Sequence, residues 1–205
     1  MKTYRGRFMR EAELRELGVA QVGENVAVHE TCVMVDLEAM TFGDNVRIDP
    51  FTLLSAAGGW LRFGDFIHVS SNCSILGGSG VELGDFANLS AGVRIFSRTD
   101  DYTGEFLTNP TVPPAFTLPP AARPVRLGRH VILGANTIVL PEVEIGEGTA
   151  VGAGALIRHS LDPWGIYAGV PAKFLRNRRQ DIIDHESRLK AALAAGKTDL
   201  PVARL

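Results

Sequence analysis

Apolar residues recur along this chain with a step of about six, and a glycine follows an apolar residue about once every twenty positions. These apolar-glycine pairs are Val22-Gly23, Phe42-Gly43, Phe63-Gly64, Leu83-Gly84, Leu127-Gly128 and Ile145-Gly146. The period matches neither an amphipathic helix nor a simple alternating strand. It predicts an all-β solenoid in which each coil contains three hexads, and each hexad begins with an inward-facing apolar residue. One coil cannot bury its own apolar face, so the coils must stack.

The interval between Leu83 and Leu127 is about twice the others. Either one coil carries a long insertion, or one repeat has lost its signature. The stretch 97–126 is rich in proline and cannot form a regular strand. It also contains Tyr102 and two phenylalanines, more aromatic residues than a disordered linker would carry. We therefore expect an ordered loop that projects from the solenoid, and long ordered loops are commonly functional.

The remaining patterns lie at the two ends of the chain. Good helix formers before Gly18 indicate a short N-terminal helix. Near the other end, Ile182, Leu189 and Leu193 fall on one helical face. We predict three segments: an N-terminal helical segment at 1–20, the β-helix domain at 21–173 with its loop at 97–126, and a C-terminal helical tail at 174–205.

Composition excludes several classes of protein. The chain has 205 residues and 45% hydrophobic content, which suits one well-buried domain. A net charge of -2 without a basic run argues against nucleic acid as a partner. Two cysteines, Cys32 and Cys73, are too few for a disulfide framework or a zinc site. The charged N-terminus predicts no signal peptide, and no apolar stretch predicts a membrane span, so we expect a cytoplasmic protein.

The most specific motif lies late in the repeat, where GANTIVLPEVEIGEGTAVGAGALI is followed by WGIYAGVPAK. With the hexads and the loop, it resembles the hexapeptide-repeat acyltransferases over roughly residues 20–177. The resemblance implies a left-handed parallel β-helix, although crossovers are normally right-handed. It also implies a homotrimer and a co-substrate that is acetyl-CoA or another short acyl-CoA. The segment DDYTGEFLTNP at 100–110 is similar to a branch of sugar acetyltransferases and of N-acyltransferases for nucleotide-linked dideoxy-amino sugars.

The resemblance further implies that acyl-CoA lies along the late coils at a subunit boundary. Residues without bulk would let the pantetheine arm approach the main chain, namely Gly134, Ala135, Gly152 and Ala153. Lys173, within the closing motif, would face the CoA phosphates as a point charge. Corner geometry is an equally good explanation for each single glycine. For Lys173 the alternative is an ordinary solvated lysine.

The loop contains no histidine, whereas the usual catalytic base of the sugar O-acetyltransferases is a loop histidine. Hexad arithmetic places Asp100 and Glu142 near the corner where the loop departs. We expect these two carboxylates to be catalytic, holding the amine of the acceptor and accepting its proton, a role worth about 10²–10⁴ in rate. The alternatives are a turn that opens the loop for Asp100 and an exposed corner carboxylate for Glu142.

We expect the acceptor to contact Ser90, Asn88, His68 and Tyr102. Ser90 lies one hexad before Asp100 in the same coil. His68 is predicted to stack on Asn88, either as a packed corner histidine or as a wall of the sugar pocket. The histidines occupy different ladder positions and should not converge, so we predict no metal site such as the zinc site of the carbonic anhydrases with this fold.

Three functions are compatible with the sequence. The first is acyl transfer to the amine of a nucleotide-linked amino sugar in surface-polysaccharide synthesis. The second is O-acetylation of a sugar hydroxyl, as in the galactoside and maltose enzymes, and the third is a non-catalytic solenoid scaffold. The missing loop histidine favours the amine, while Lys173 in its motif and the aromatic loop argue against a scaffold. The small-molecule partner would be a sugar or nucleotide-sugar acceptor.

Overall fold

The apolar hexad leaders form continuous columns that run from coil to coil. The computed structural model of the protein describes residues 6–119 and 123–196. One column joins the residues that precede the periodic glycines, all of them buried: Val22, Phe42, Phe63, Leu83, Leu127 and Ile145. The predicted fold is confirmed: the chain is a left-handed parallel β-helix of about 7 coils.

Short strands alternate with corners throughout the described chain. The strands are β1 (Phe8–Met9), β2 (Gln21–Val22), β3 (Ala27–His29), β4 (Val33–Val35), β5 (Met40–Phe42), β6 (Arg47–Ile48), β7 (Leu53–Ser55), β8 (Leu61–Phe63), β9 (His68–Val69), β10 (Ser74–Leu76), β11 (Val81–Leu83), β12 (Asn88–Leu89), β13 (Arg94–Phe96), β14 (Val125–Leu127), β15 (Ile132–Leu133), β16 (Ile138–Val139), β17 (Glu144–Ile145), β18 (Ala150–Val151), β19 (Leu156–Ile157), β20 (Gly165–Ala168) and β21 (Lys173–Asn177). The α-helices are α1 (Glu11–Glu16) and α2 (Ile182–Ala194), and two 3₁₀ turns occupy Leu37–Ala39 and Pro114–Phe116.

Three sheets form the three faces of the solenoid. Sheet 1 has the order β1-β3-β6-β9-β12-β15-β18-β20-β21, sheet 2 the order β4-β7-β10-β13-β16-β19, and sheet 3 the order β2-β5-β8-β11-β14-β17. The chain passes from sheet 3 to sheet 1, then to sheet 2, and back to sheet 3 in the next coil. Parallel pairing joins consecutive coils, while among the described residues only the two end strands of sheet 1 pair antiparallel.

The periodic glycines are required by the close approach of successive coils. A Cβ atom on Gly43 would lie only 2.4 Å from Oδ1 of Asp65. That oxygen accepts a hydrogen bond of 2.8 Å from the backbone N–H of Asp44, and Asp85 binds the N–H of Asp65 in the same way at 2.9 Å. At Gly23, Gly43 and Gly64 the glycine signal therefore marks a corner at which an aspartate of one coil caps the backbone of the coil before it.

The long interval between Leu83 and Leu127 is an insertion into one coil, because these two residues are direct ladder partners. The described part of the loop is ordered by its own contacts. Leu107 pairs with Thr117, and its N–H donates to the carbonyl of Phe116 at 2.9 Å. Arg98 ties the base of the loop to the carbonyl of Leu118 at 3.3 Å. The loop thus has a fixed shape against the solenoid.

The two ends of the chain contain strands that the sequence pattern does not reveal. Within the predicted helical segment 1–20, α1 is preceded by β1, which pairs antiparallel with β3; residues 1–5 lie outside the described chain. The predicted helical tail 174–205 begins in β21 instead of a helix, because a short turn folds the chain back antiparallel onto β20. Helix α2 follows, and residues 197–205 lie outside the described chain.

Helix α2 is attached to the solenoid by a buried carboxylate. Glu186 is 7% exposed and accepts a hydrogen bond from Nε2 of His130 at 2.7 Å. Arg129 also binds this carboxylate, and Lys190 lies 2.6 Å from its other oxygen. Burial alone raises the pKa of Glu186, but the hydrogen bonds from Lys190 and His130 and the charge of Arg129 outweigh it and bring the pKa to about 2.

We predict that this carboxylate makes the stability of the protein depend on acid. Its pKa is lower in the folded chain than its ordinary value of 4.5, so its contribution is fully present above pH 4.5 and is lost as the pH falls towards about 2. Urea unfolding across this range should show a steeper loss of the free energy of unfolding for the wild type than for Glu186→Gln. Parallel curves for the two proteins would contradict the assignment.

Candidate active site

A pocket of about 570 Å³ lies between the loop and the solenoid, at the corner where sheet 2 passes to sheet 3. Its floor comes from the ends of β7 and β10, at Ser55 and Leu76, and its walls come from the loop. Ionisable side chains reach it from one short segment, where Arg98 and Asp100 both line the pocket. We call it the loop pocket; pockets of this size commonly bind small molecules.

Asp100 and its neighbour Asp101 have different surroundings. The carboxylate of Asp101 accepts hydrogen bonds from the N–H groups of Phe106, Thr103 and Gly104 at 2.8–2.9 Å, and from the hydroxyl of Thr103. These bonds, with that from Phe106 foremost, hold the pKa of Asp101 well below its usual range. Asp100 has no hydrogen-bond partner within the described residues. The turn at the start of the loop is therefore built by Asp101, which leaves the carboxylate of Asp100 available to a ligand.

Glu142 lines a second pocket of about 240 Å³ that adjoins the loop pocket. The two pockets share Thr99, Leu118 and Pro119 as a common wall. Glu142 is exposed and forms the corner of the next coil, with a φ of 61°. The structure thus brings the two predicted catalytic carboxylates to neighbouring cavities at one corner of the solenoid.

Three of the predicted acceptor residues, Ser90, Asn88 and His68, lie at a different corner, where sheet 1 passes to sheet 2. His68 is the ladder partner of Asn88, as expected. Its Nδ1 lies 3.2 Å from Oδ1 of Asn88, and its Nε2 lies 2.9 Å from Oδ2 of Asp49. The side chain of His68 is 43% exposed, so it is held by neighbours but remains open to solvent. Ser90 follows Asn88 by two positions at the edge of the same sheet.

A column of equivalent residues runs along this corner, one residue per coil. Each member follows a buried residue of sheet 1, and each donates its N–H to the next coil: Asp49, Ser70, Ser90, Gly134 and Gly152. We call it the corner column. The hydroxyl of Ser90 has no hydrogen-bond partner among the described residues. Beneath Ser90 lies the buried thiol of Cys73, which donates to the carbonyl of Ser90 at 3.3 Å and whose pKa burial raises to about 11.

The upper part of the corner column, in the coils nearest the C-terminus, is free of side chains. A Cβ atom on Gly134 would lie 2.5 Å from the N atom of Ala153, and one on Gly152 would lie 3.0 Å from the Cβ of Ala168. Coil packing alone is thus enough to explain the glycine at position 134. The two glycines leave a strip of exposed main chain, in which Ala135 is half-buried and Ala153 is exposed.

Lys173 begins β21 and pairs with Ala168, the last residue of β20. Its side chain is exposed, and it has no ion-pair partner within the described residues. Because Ala168 lies above Gly152, Lys173 is located next to the upper end of the side-chain-free strip. A cation at this end complements an anionic group on a molecule that follows the strip.

The fourth predicted acceptor residue, Tyr102, is 91% exposed on the loop and lines neither the loop pocket nor the pocket at Glu142. Arg98 and Asp49 were not predicted from the sequence. Arg98 could have been found from its closeness in sequence to Asp100, whereas no sequence signal marks Asp49, whose contact with His68 depends on the coil register.

Within residues 6–119 and 123–196, no group of three or more His, Cys, Asp or Glu side chains could hold a metal ion. In the same residues, no helix is long and apolar enough to cross a bilayer.

Comparison with known sequences identifies the family to which this chain belongs. Residues 124–159 match the bacterial transferase hexapeptide family (six repeats). The chain is 35% identical over 183 residues to the dTDP-4-amino-4,6-dideoxy-D-glucose acyltransferase of Escherichia coli, covering 89% of this chain and 95% of that protein. It is also 32% identical to WbbJ of E. coli strain K12, named for lipopolysaccharide biosynthesis O-acetyl transfer, over 77% of this chain and 79% of WbbJ. The protein therefore belongs to the hexapeptide-repeat acyltransferases.

Solved structures give the same result in three dimensions. AntD, an N-acyltransferase from Bacillus cereus, superposes with a TM-score of 0.86 and 34% identity, covering 92% of this chain and 99% of AntD, in its complex with dTDP and 3-hydroxybutyryl-CoA. Another AntD structure contains dTDP-4-amino-4,6-dideoxyglucose and coenzyme A, with a TM-score of 0.86. Several AntD structures carry a substitution at one serine or at one aspartate, and these two residues lie ten positions apart.

Proposed function

We propose that this protein transfers an acyl group from an acyl-CoA to the amine of a nucleotide-linked dideoxy-amino sugar. One observation carries the choice of acceptor. Ser90 and Asp100, predicted for the site from the sequence alone, have the ten-residue spacing of the serine and aspartate that are substituted in AntD. The identity to the E. coli enzyme for dTDP-4-amino-4,6-dideoxy-D-glucose supports the same acceptor class.

The chemistry assigns a separate role to each part of the site. The neutral amine attacks the carbonyl carbon of the thioester, so a C–N bond forms and negative charge develops on the carbonyl oxygen. A backbone N–H stabilises that charge, an effect typically worth about 10²–10³ per donor. The N–H of Ala135, next to Gly134 in the corner column, has no acceptor among the described residues and can take this role. Asp100 accepts the proton of the amine, the C–S bond breaks, and the CoA thiolate takes up that proton and leaves as the thiol.

The acyl-CoA is proposed to follow the side-chain-free strip of the corner column. The pantetheine arm would pass Gly134, Ala135, Gly152 and Ala153, with the phosphates near Lys173. The thioester would then lie where the glycines end and Ser90 begins. Ser90 would bind the acceptor by its unpaired hydroxyl, with Asn88 and His68 beside it. Glu142 would add a second negative charge near the amine.

A homotrimer is part of the proposal, because the two halves of the site lie at different corners of one chain. Ser90 precedes β13 and Asp100 follows it, so the width of sheet 2 separates them. A neighbouring copy that places its loop against the corner column would unite Asp100 of one chain with Ser90 of another. Exposed apolar side chains on sheet 2, Val33 and Val35, support burial of this face.

Similarity to WbbJ supports a place in surface-polysaccharide synthesis, because that protein is named for lipopolysaccharide biosynthesis. A cytoplasmic location rests on the sequence pattern. A non-catalytic scaffold is not supported, since the relatives over most of the chain are acyltransferases.

O-acetylation of a sugar hydroxyl is the second candidate, and similarity to WbbJ favours it. A hydroxyl is a poor nucleophile and requires a base that removes its proton. The loop supplies carboxylates and no histidine, which suits an amine that already reacts as a free base. The two candidates differ in their pH profiles. Release of CoA thiol with the amino sugar should rise with pH through the pKa of the acceptor amine; a profile independent of that pKa would contradict N-acylation.

We predict that Lys173→Ala weakens CoA binding more at low salt than at high salt. The Debye length is about 30 Å at 0.01 M and about 10 Å at 0.1 M, so an exposed ammonium loses its influence as salt rises. Calorimetry of CoA at both salt levels checks the result. Arg188→Ala, which removes an exposed cation from α2, is the matched control. Equal CoA affinities for Lys173→Ala and wild type at both salt levels would locate the phosphates elsewhere.

A further inference from the structure

The corner column consists of glycines on one side of Ser90 and of polar residues on the other. This difference indicates how the acceptor is oriented along the column. Above Ser90 the column is glycine, whereas below it the side chains of Ser70 and Asp49 are polar. The inference rests on the proposed function, in which acyl-CoA occupies the glycine part. An acceptor whose amine lies at Ser90 must then extend along the polar part, towards the coils nearest the N-terminus.

A third pocket, of about 400 Å³, lies at the lower end of this polar part. Its lining residues are Phe8, His29, Arg47, Asp49, Pro50, Phe51, Ser71 and Asn72. We call it the lower corner pocket. Asp49 is two coils below Ser90, and neighbouring strands lie 4.7–4.9 Å apart, so the separation along the column is about 10 Å. A sugar diphosphate can span this distance and place its nucleoside in the pocket.

Phe51 gives the lower corner pocket an exposed aromatic rim. It has a φ of 60° and is 65% exposed. The equivalent corner positions of later coils also have positive φ, but they are occupied by Asn72, Gly92, Asn136 and Gly154. Asparagine and glycine tolerate this left-handed conformation, whereas a bulky residue is strained in it. Strain of this kind is often maintained at functional sites.

Two other phenylalanines with positive φ show why Phe51 differs. Phe66 and Phe86 are half-buried, and their rings stack on each other at 4.9 Å. The ring of Phe51 has no aromatic partner among the described residues. Its conformation is therefore not explained by stacking within the chain, and one face of the ring remains available to a flat ligand.

The polar groups of the pocket continue from this ring towards Ser90. Nε of Arg47 lies 2.6 Å from Oδ1 of Asp49, and Oδ2 of Asp49 lies 2.9 Å from Nε2 of His68. His68 in turn contacts Asn88, two residues before Ser90. These side chains are held by their contacts with one another across the coils. Ser71 and Asn72 line the same pocket as Phe51, and their polar groups can pair with the edge of a base.

We propose that the lower corner pocket binds the nucleoside of the acceptor, with its base stacked on Phe51. The diphosphate then passes His68, and the amino sugar reaches Ser90. This location differs from the loop pocket, which would contact the sugar through Asp100. It makes Phe51 a determinant of nucleotide affinity that takes no part in the chemistry. Stacking of a base on an aromatic side chain is worth about 1–3 kcal/mol, equivalent to about five- to 150-fold in affinity.

The experiment uses dTDP as the probe and two substitutions of one residue. Phe51→Asn introduces the residue that the equivalent corners tolerate, so the fold should be kept, while the stacking surface is lost. Phe51→Tyr keeps the ring. By calorimetry we expect Phe51→Asn to bind dTDP about tenfold more weakly or worse, and Phe51→Tyr to bind it like the wild type. CoA affinity should be the same in all three proteins, which also shows that the variants are folded.

Three results would overturn the inference. Unchanged dTDP affinity in Phe51→Asn, together with a loss in Arg98→Ala, would move the nucleoside to the loop pocket. A smaller assembly of Phe51→Asn by sedimentation, with parallel losses of dTDP and CoA binding, would mean that a second copy covers Phe51. Absence of dTDP binding by the wild type would overturn the proposed acceptor class, and the inference with it.

Discussion

Replacement of Asp100 by asparagine is expected to lower kcat by about 10²–10⁴ while the KM for acyl-CoA changes little. The substitution keeps the size of the side chain but removes its capacity to accept a proton. Within the described chain the carboxylate has no hydrogen-bond partner, so its loss should leave the loop intact. Steady-state rates of thiol release, with acyl-CoA and the amino sugar varied separately, measure both parameters.

Asp101→Asn is the matched control for this prediction. Its carboxylate accepts four hydrogen bonds from the loop, and the amide oxygen of asparagine can still accept some of them. We expect a modest loss of stability and a kcat near that of the wild type. A near-wild-type kcat in Asp100→Asn combined with a large loss in His68→Ala would contradict the assignment and give the role of the base to His68.

Replacement of Ala153 by tryptophan is expected to remove measurable CoA binding. Ala153 is exposed beside Gly152, where the proposed path of the pantetheine arm is bounded by main chain. An indole at this position would occupy the path, and a steric clash with a ligand is an effective way to exclude it. Because the side chain points to solvent, the free energy of unfolding should change by no more than about 0.5 kcal/mol.

Ala191→Trp, at an exposed position of α2, serves as the control for a large new apolar side chain. It should bind CoA like the wild type. Calorimetry and thermal unfolding of the two variants separate blockage from misfolding. If Ala153→Trp binds CoA with the affinity of the wild type, the cofactor does not follow the upper corner column.

The solenoid could be predicted from the sequence because the same short pattern of apolar residues recurs in every coil. Every coil buries its leaders against the same positions of its neighbours, so Phe42, Phe63 and Leu83 had to share one column. The insertion between Leu83 and Leu127 followed from the same register. Antiparallel pairing at the two ends could not be predicted, since it arises where the repeat stops and a free sheet edge remains.

The candidate site was only partly predictable, because it depends on contacts between coils. Hexad arithmetic gave Asp100 and Glu142 a common corner, and their pockets do share a wall. The same arithmetic put Ser90 one hexad before Asp100 in one coil and in one acceptor site, yet β13 takes the chain across sheet 2 between them. The bond between His68 and Asp49, 19 positions apart, depends on which side chains face each other across a coil step.

The central claim is transfer of an acyl group to a sugar amine, and the product tests it directly. Purified protein is incubated with acetyl-CoA and dTDP-4-amino-4,6-dideoxyglucose, and in parallel with the same nucleotide sugar carrying a hydroxyl in place of the amine. The product is examined by mass spectrometry and NMR. We predict one acetyl group joined as an amide to the sugar nitrogen, and no product from the hydroxyl compound. An ester formed from the hydroxyl compound, with the amine left unmodified, would contradict the account.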